Sequence, residues 1–213
     1  MQDTNQAPRL HVNNSTSLMQ TSLSPIQAQS LTLGPIQNLT HTWPAGVSWI
    51  CGDEGTGKTT LLRLLAGEVQ PTGGSVATQE GGVFWMNVQD AAHNATQVQA
   101  CWDAMRAHYP NWHDALLQDL ASALQMNEHR LKQLHMLSTG SRRKVMVIAA
   151  LASGAAVTLM DQPFGGLDLA SIRVIKEVLR EAADHPSRAW LVADYEAPSD
   201  LRLANVLRLD GST

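Results

Sequence analysis

The sequence predicts an α/β fold built on a parallel, doubly wound sheet. Three observations lead there. Short, nearly continuous apolar runs recur at Val47–Cys51, Ala156–Met160 and Ala189–Val192, as expected of parallel strands covered on both faces. Stretches with helical spacing of apolar residues separate them, and strands alternating with helices give a parallel sheet. A glycine-rich segment, Gly52 to Thr60, joins the first of these strands to a helix. In open sheets of this kind ligands gather at the carboxyl ends of the strands.

Taken in order, residues 1–10 are polar and contain a proline, which predicts a flexible end. Residues 11–213 read as a single domain. Short β-like pieces at Leu10–Val12, Leu31–Leu33 and Ile36–Leu39, broken by Pro25, Gly34 and Pro35, predict a small N-terminal antiparallel β subdomain. Trp43–Gly46 is a turn into the first parallel strand. The segment Thr60–Ala66 has helical spacing and Gly67 is its natural stop. Pro71–Gly74 is a further turn, with strands at Ser75–Thr78 and Val83–Met86 on either side of a Gly81-Gly82 bend.

From Ala91 the character changes to Ala-, Gln-, His- and Leu-rich sequence, with helical periodicity over Val98–Tyr109 and His113–Met126 and a break at Pro110-Asn111. This predicts an inserted α-helical subdomain at about 91–152. Trp102, Tyr109 and Trp112 suit its packing, or a partner-facing groove. Leu137–Ser141 leads a helix over Arg142–Ala152. The run Ala156–Met160 ends in Asp161, and Gly165–Asp168 turns into a helix through Ala183. Strands at Ala189–Val192 and Val206–Leu209 complete the sheet.

Bulk properties narrow the function. The 213 residues carry 15 Lys+Arg against 19 Asp+Glu, a formal net charge of −4, which argues against a nucleic-acid partner. Hydrophobic residues make up 44%, yet no run approaches a membrane span, so a soluble chain is expected. The first thirty residues lack the apolar segment of a signal peptide, which makes the cytoplasm the expected compartment. Cys51 and Cys101 have neither metal nor redox spacing, and Cys51 suits a small core position.

The chemistry concentrates in Gly52, Asp53, Glu54, Gly55, Thr56, Gly57, Lys58, Thr59 and Thr60, which fit G-x-x-x-x-G-K-[ST]. Strand, glycine-rich turn and helix is the setting this phosphate-binding motif requires. Glycines let the backbone turn tightly enough for its N–H groups to face phosphate oxygens, and the helix N-terminus adds its positive end. Lys58 would reach the β- and γ-phosphates, and the Thr59 hydroxyl would take a place on Mg²⁺. The carboxylates of Asp53 and Glu54 suit a polyphosphate only with their side chains turned outward.

From about Leu31 to Asp210 the chain resembles the nucleotide-binding subunit of ATP-binding cassette (ABC) proteins. The resemblance rests on the order of motifs: the phosphate loop, Gln89 after a strand, a helical insertion, Leu137-Ser138-Thr139-Gly140, an apolar strand ending in Asp161, then Gly166-Leu167-Asp168. It implies a P-loop NTPase core that binds ATP and Mg²⁺. It also implies a second ABC subunit, identical or different, whose signature covers the γ-phosphate, and a separate membrane-spanning permease at the inner face of the membrane. Ser138 with the N–H groups of Thr139 and Gly140 suits an anion at a helix start, and Ser138 equally suits a plain N-cap. The resemblance makes Asp161 a Mg²⁺ ligand, direct or through water. It makes Gln89 the glutamine that senses Mg²⁺ and touches the permease, unless Gln89 is an ordinary surface residue like Gln97 and Gln99. Asp168 corresponds to the acid of the loop that crosses the dimer interface.

Three positions depart from the family. Gln162 stands where a glutamate general base is usual, and an amide orients water without accepting its proton; such a loss typically costs ~10²–10⁴ in rate. Tyr195 stands in place of the switch histidine and can donate a hydrogen bond to a γ-phosphate, but is no cation at neutral pH. Its neighbours Asp194 and Glu196 are either substitute bases or solvated acids. The loop where an adenine-stacking aromatic is common holds Met19 and Gln20 instead. The combination implies an ATP-hydrolysing transporter subunit with intact binding parts and slow turnover, or else an ATP-gated regulatory clamp.

Overall fold

The computed structural model describes residues 24–85 and 93–209. Leu10–Val12, Met19, Gln20, Met86 and Gln89 therefore lie outside the described residues. The chain runs β1 (Ile26–Leu33), β2 (Ile36–Trp43), β3 (Gly46–Cys51), α1 (Lys58–Leu65), β4 (Gly73–Thr78), β5 (Val83–Phe84), α2 (Val98–Arg106), α3 (Asp114–Ala123), α4 (Thr139–Ala152), β6 (Val157–Asp161), α5 (Leu169–Ala182), β7 (Ala189–Asp194) and β8 (Asn205–Arg208). Two short 3₁₀ turns, Asn127–His129 and Leu134–Met136, lie between α3 and α4.

Five strands form one sheet in the order β5-β6-β7-β3-β8, every pair parallel. Strands β2, β1 and β4 form a separate antiparallel sheet. This is the parallel α/β architecture that the alternation of strands and helices predicts, together with a small antiparallel sheet.

The period of two along each parallel strand sorts its side chains into two cores. Val47, Trp49 and Cys51 of β3, Met160 of β6, and Trp190 and Val192 of β7 face one cluster, shared with helices α2 to α5. Ile50 of β3, Leu159 of β6, and Leu191 and Ala193 of β7 face the other, shared with α1 and the antiparallel sheet. Each large apolar side chain buried this way contributes roughly 1.5–3 kcal/mol. The sheet is thus covered on both faces, and its strands' carboxyl ends carry the loops after Cys51, Asp161 and Asp194.

Helix α1 ends as Gly67 suggests. Gly67 takes φ +72°; its N–H donates to Leu64 O at 3.0 Å and that of Glu68 to Arg63 O at 3.0 Å. These are the paired bonds of a Schellman stop. In the helical insertion, Trp102 is buried and donates from Nε1 to Val145 O at 3.0 Å. Tyr109 and Trp112 pack at the edge of the same core, so these aromatics pack as expected.

Several boundaries differ from the sequence reading. Helix α4 begins at Thr139 rather than Arg142, because Ser138 Oγ accepts from the Ser141 N–H at 3.1 Å and caps a turn with no apolar period. Helices α2 and α3 end at Arg106 and Ala123, short of Tyr109 and Met126. The hairpin β1–β2 is longer than the short pieces expected. Trp43 closes β2 instead of opening a turn. Helix α5 is capped by Asp168, whose carboxylate accepts from Ser171 N at 2.8 Å and Ser171 Oγ at 2.8 Å and pairs with Lys144 Nζ at 3.2 Å.

Two outcomes test this architecture. Gly46 has φ +95°, and a Cβ there would meet the Ala183 carbonyl oxygen at 2.5 Å, whereas one at Gly67 would meet nothing within 4 Å. Gly46→Ala should therefore destabilise by at least about 2 kcal/mol, lowering Tm by roughly 4–8 °C, and Gly67→Ala by about 1 kcal/mol; calorimetry of the two variants checks the order. The second concerns Asp168, whose carboxyl the Ser171 N–H, the Ser171 hydroxyl and Lys144 hold below the usual carboxylate range. Its folded-state pKa lies under the unfolded value of about 3.9, so its contribution is present above that pH and is lost as acid approaches the lowered value. Asp168→Asn should be less stable than wild type at pH 7 in denaturant titrations, with the gap closing below about pH 4.

Candidate nucleotide site

The loop from Gly52 to Gly57 leaves buried β3 and enters α1. Gly57, at the N-cap of α1, has φ +98°, a conformation that glycine adopts freely. A Cβ at Gly57 would meet Pro35 Cγ at 2.8 Å, so the tip of the β1–β2 hairpin abuts the loop. Thr56 is buried and its hydroxyl donates to Asp53 O at 2.9 Å, tying the loop across its own turn. Asp53, Glu54 and Gly55 are exposed, so both acids of the loop lie at the surface. Thr60 is half-buried in the first turn of α1.

Lys58 is only 6% exposed. A buried ammonium needs partners, and this one donates to Gly52 O at 2.6 Å and Asp53 O at 2.7 Å. It also lies over the Tyr195 ring, 4.9 Å from the centroid. Register explains how that ring arrives: β3 pairs with β7 so that Cys51 sits opposite Asp194. The residues that follow, Gly52 and Tyr195, leave the sheet side by side. A cavity of about 780 Å³ opens here, lined by Cys51, Gly52, Asp53, Asp194, Glu196 and Arg208 among others.

Beside the lysine, Thr59 Oγ1 donates to Asp161 Oδ2 at 2.5 Å. Asp161 Oδ1 is buried and has no hydrogen-bond partner among the described residues. Burial raises the Asp161 carboxyl above its ordinary range, with the Thr59 hydrogen bond and the Lys58 charge opposing that shift. A hydroxyl and a carboxylate paired on adjacent strand and helix ends, with one oxygen left over, are the hard oxygen donors that suit Mg²⁺. Gln162, next in the chain, holds φ +44°. Its N–H donates to Ala193 O at 2.8 Å, and its carbonyl accepts from Gly165 N at 3.2 Å. A glutamine in the left-handed region is strained, and these two bonds fix it there.

The structure brings Lys58, Thr59, Asp161 and Tyr195 together. Gly140, at the start of α4, instead meets the Gly165–Asp168 turn. A Cβ at Gly140 would lie 2.6 Å from Gly166 O. Arg143 donates to Gly165 O, and Lys144 pairs with Asp168. Ser138 and Thr139 remain exposed at the N-terminus of α4, where Ser138 is the N-cap. Asp168 caps its own helix and pairs with Lys144. Sequence reasoning missed Arg143 and Lys144. Their place in the first turn of the helix after Gly140 was the available signal, but their partners lie more than twenty positions downstream.

Comparison with known proteins agrees with the geometry. A family model described as ABC transporter matches residues 36–165. Taurine import ATP-binding protein TauB of Pseudomonas putida strain KT2440 is 26% identical over 204 residues, covering 87% of this chain and 72% of that protein. Cytochrome c biogenesis ATP-binding export protein CcmA of a Chelativorans species is 32% identical over 139 residues, covering 62% and 69%. A Pyrococcus furiosus structure described as an ABC transporter ATP-binding protein superposes with TM-score 0.68 at 19% identity, over 86% of this chain and 96% of that one, which shows the shared fold. No helix among the described residues is long and apolar enough to cross a membrane. The chain belongs to the ABC transporter family, as an ATP-binding subunit and ATPase.

Proposed function

We propose that this subunit binds ATP firmly, hydrolyses it slowly, and energises a separate membrane permease by closing on a second ABC subunit. The observation that carries the reading is the site's asymmetry. Its binding half is complete: a buried Lys58 ammonium oriented by two loop carbonyls, and Thr59 hydrogen-bonded to Asp161. Its turnover half carries an amide at Gln162 and a phenol at Tyr195.

The roles follow from the chemistry of each group. Backbone N–H groups from Gly52 to Thr60 cradle the phosphates, and Lys58 neutralises their charge. Thr59 and Asp161, whose second oxygen is unpartnered, would hold Mg²⁺, which when bound neutralises charge on the β- and γ-phosphates. Gln162 can orient a water through its amide but cannot take its proton. Ser138, Thr139 and Gly140 would meet the γ-phosphate of the partner subunit's nucleotide from the N-terminus of α4. ATP then bridges two chains, and Asp168 lies on the turn beside that bridge. The helical insertion and the segment containing Gln89 would dock on the permease, placing the subunit at the inner face of the membrane. The names of relatives that serve import or export fit a transport role.

Steady-state kinetics on the purified chain test this reading. Lys58→Ala should abolish detectable ATP binding. Gln162→Glu should raise kcat at least about tenfold, toward the ~10²–10⁴ that a general base supplies, with KM little changed. Rapid wild-type turnover that Gln162→Glu leaves unaltered would exclude the slow-hydrolysis reading.

A further inference from the structure

We propose that Arg143 is a positioning residue for ATP hydrolysis, acting by holding the Gly165 peptide and through it the backbone of Gln162. Its role rests on the reading above, in which the Gln162 amide orients the attacking water. Near its start, α4 carries three consecutive cations, and each fastens a different segment. Arg142 donates to Asn94 Oδ1 at 2.8 Å, Arg143 donates to Gly165 O, and Lys144 pairs with Asp168 at 3.2 Å. Consecutive helical residues point about 100° apart, so three neighbours reach three places. Arg143 is the one that reaches the turn leaving Asp161.

Gln162 needs such a hold. Its φ of +44° is an uphill conformation for a residue with a Cβ, and it persists only where neighbours over-determine it. One support is its N–H bond to Ala193 O at 2.8 Å; the other is the Gly165 N–H, which donates to its carbonyl at 3.2 Å. The first comes from β7, a fixed part of the sheet. The second comes from a glycine, the residue with most backbone freedom. Phe164, just before it, stacks on Trp49 with centroids 6.1 Å apart. That anchors the turn without fixing the rotation of the Gly165 peptide.

Arg143 supplies what is missing. With its guanidinium on Gly165 O, Gly165 is held on both sides, at its N–H by Gln162 and at its carbonyl by Arg143. A bond from a charged donor is of the stronger class. The contact is close: a Cβ on Gly165 would meet Arg143 Nη1 at 2.6 Å and Cζ at 3.2 Å, and the three nearest atoms all belong to that guanidinium. The Arg143 Nε is buried without a hydrogen-bond partner among the described residues. Leaving a buried N–H unmet costs stability, so packing alone would favour an apolar side chain here. The binding half of the site is held separately, Lys58 by the phosphate loop and Thr59 by Asp161. Loss of Arg143 therefore moves the Gln162 amide and leaves nucleotide binding in place.

Steady-state kinetics and sedimentation of the purified chain with ATP and Mg²⁺ test the proposal. Arg143→Ala should lower kcat about 3- to 10-fold with KM changed less than about twofold, and should dimerise in ATP as wild type does. Gly165→Ala, whose methyl displaces the guanidinium, should lose as much, and the two changes together no more than either alone. Arg143→Lys, which keeps a charged donor, should recover at least about half of the wild-type rate. Arg142→Ala, which removes a comparable tether from the same helix, should stay within about twofold of wild type. Gln162→Ala should lose at least as much as Arg143→Ala, and adding Arg143→Ala to it should lower kcat no further. A wild-type rate in Arg143→Ala, an equal loss in Arg142→Ala, or additive losses with Gln162→Ala would overturn the proposal while leaving the role of Gln162 intact. So would a failure of Arg143→Ala to dimerise where wild type does. A wild-type kcat in Gln162→Ala would overturn both.

Discussion

A single buried positive charge constrains this site. Lys58 sits at the first turn of α1 with its ammonium almost wholly removed from water. Such a group is tolerable only when its donors are met, and the loop meets them with the carbonyls of Gly52 and Asp53. Those carbonyls face the lysine because the chain reverses through Gly55 and Gly57, both at positive φ. The reversal is held by the Thr56 bridge to Asp53 and by the hairpin tip at Pro35. Fully buried β3 fixes where the loop starts, and the apolar face of α1 fixes where it ends. Both cores of the molecule therefore contribute to the placement of one ammonium group.

A second constraint joins the start of α4 to the loop after Asp161. Gly140 lies against the Gly166 carbonyl, Arg143 donates to Gly165 O, and Lys144 pairs with Asp168. The same turn donates Gly165 N to the carbonyl of strained Gln162, one residue from Asp161. The start of α4, proposed above to meet a partner's nucleotide, is thereby fastened to the acid and amide of the site proposed for this chain's own. A shift of α4 cannot occur without strain reaching Gln162. The contacts are short and local, and two of the residues involved are glycines where any Cβ would collide or displace a side chain.

Much of this was legible in the sequence where a local rule acts alone. The apolar runs of β3, β6 and β7 read as covered strands, and the glycine spacing before Lys58 suited a strand–loop–helix. Gly67 announced its Schellman stop. The start of α4 was hidden because its first turn is polar and only Ser138's cap marks it. The β1–β2 hairpin was underestimated for a related reason. Ser30 and Asn38 take φ +49° and +52°, and the register shifts between Ala28 and Leu31, so the alternation that reveals a strand is broken. The contact of Tyr195 with Lys58 depends on β7 lying beside β3, a pairing 140 or so positions apart that no local pattern encodes. Arg143 and Lys144 escaped notice in the same way.

The proposed function, with an amide at position 162, predicts an ATP-loaded dimer that outlives its formation. Sedimentation velocity of the wild-type chain in ATP and Mg²⁺, with ADP and Mg²⁺ as reference, measures it. The expected result is a dimer that accumulates with ATP itself, needs no substitution at Gln162, and dissociates in ADP. A chain that stays monomeric in ATP, or sediments identically in both nucleotides, would contradict it.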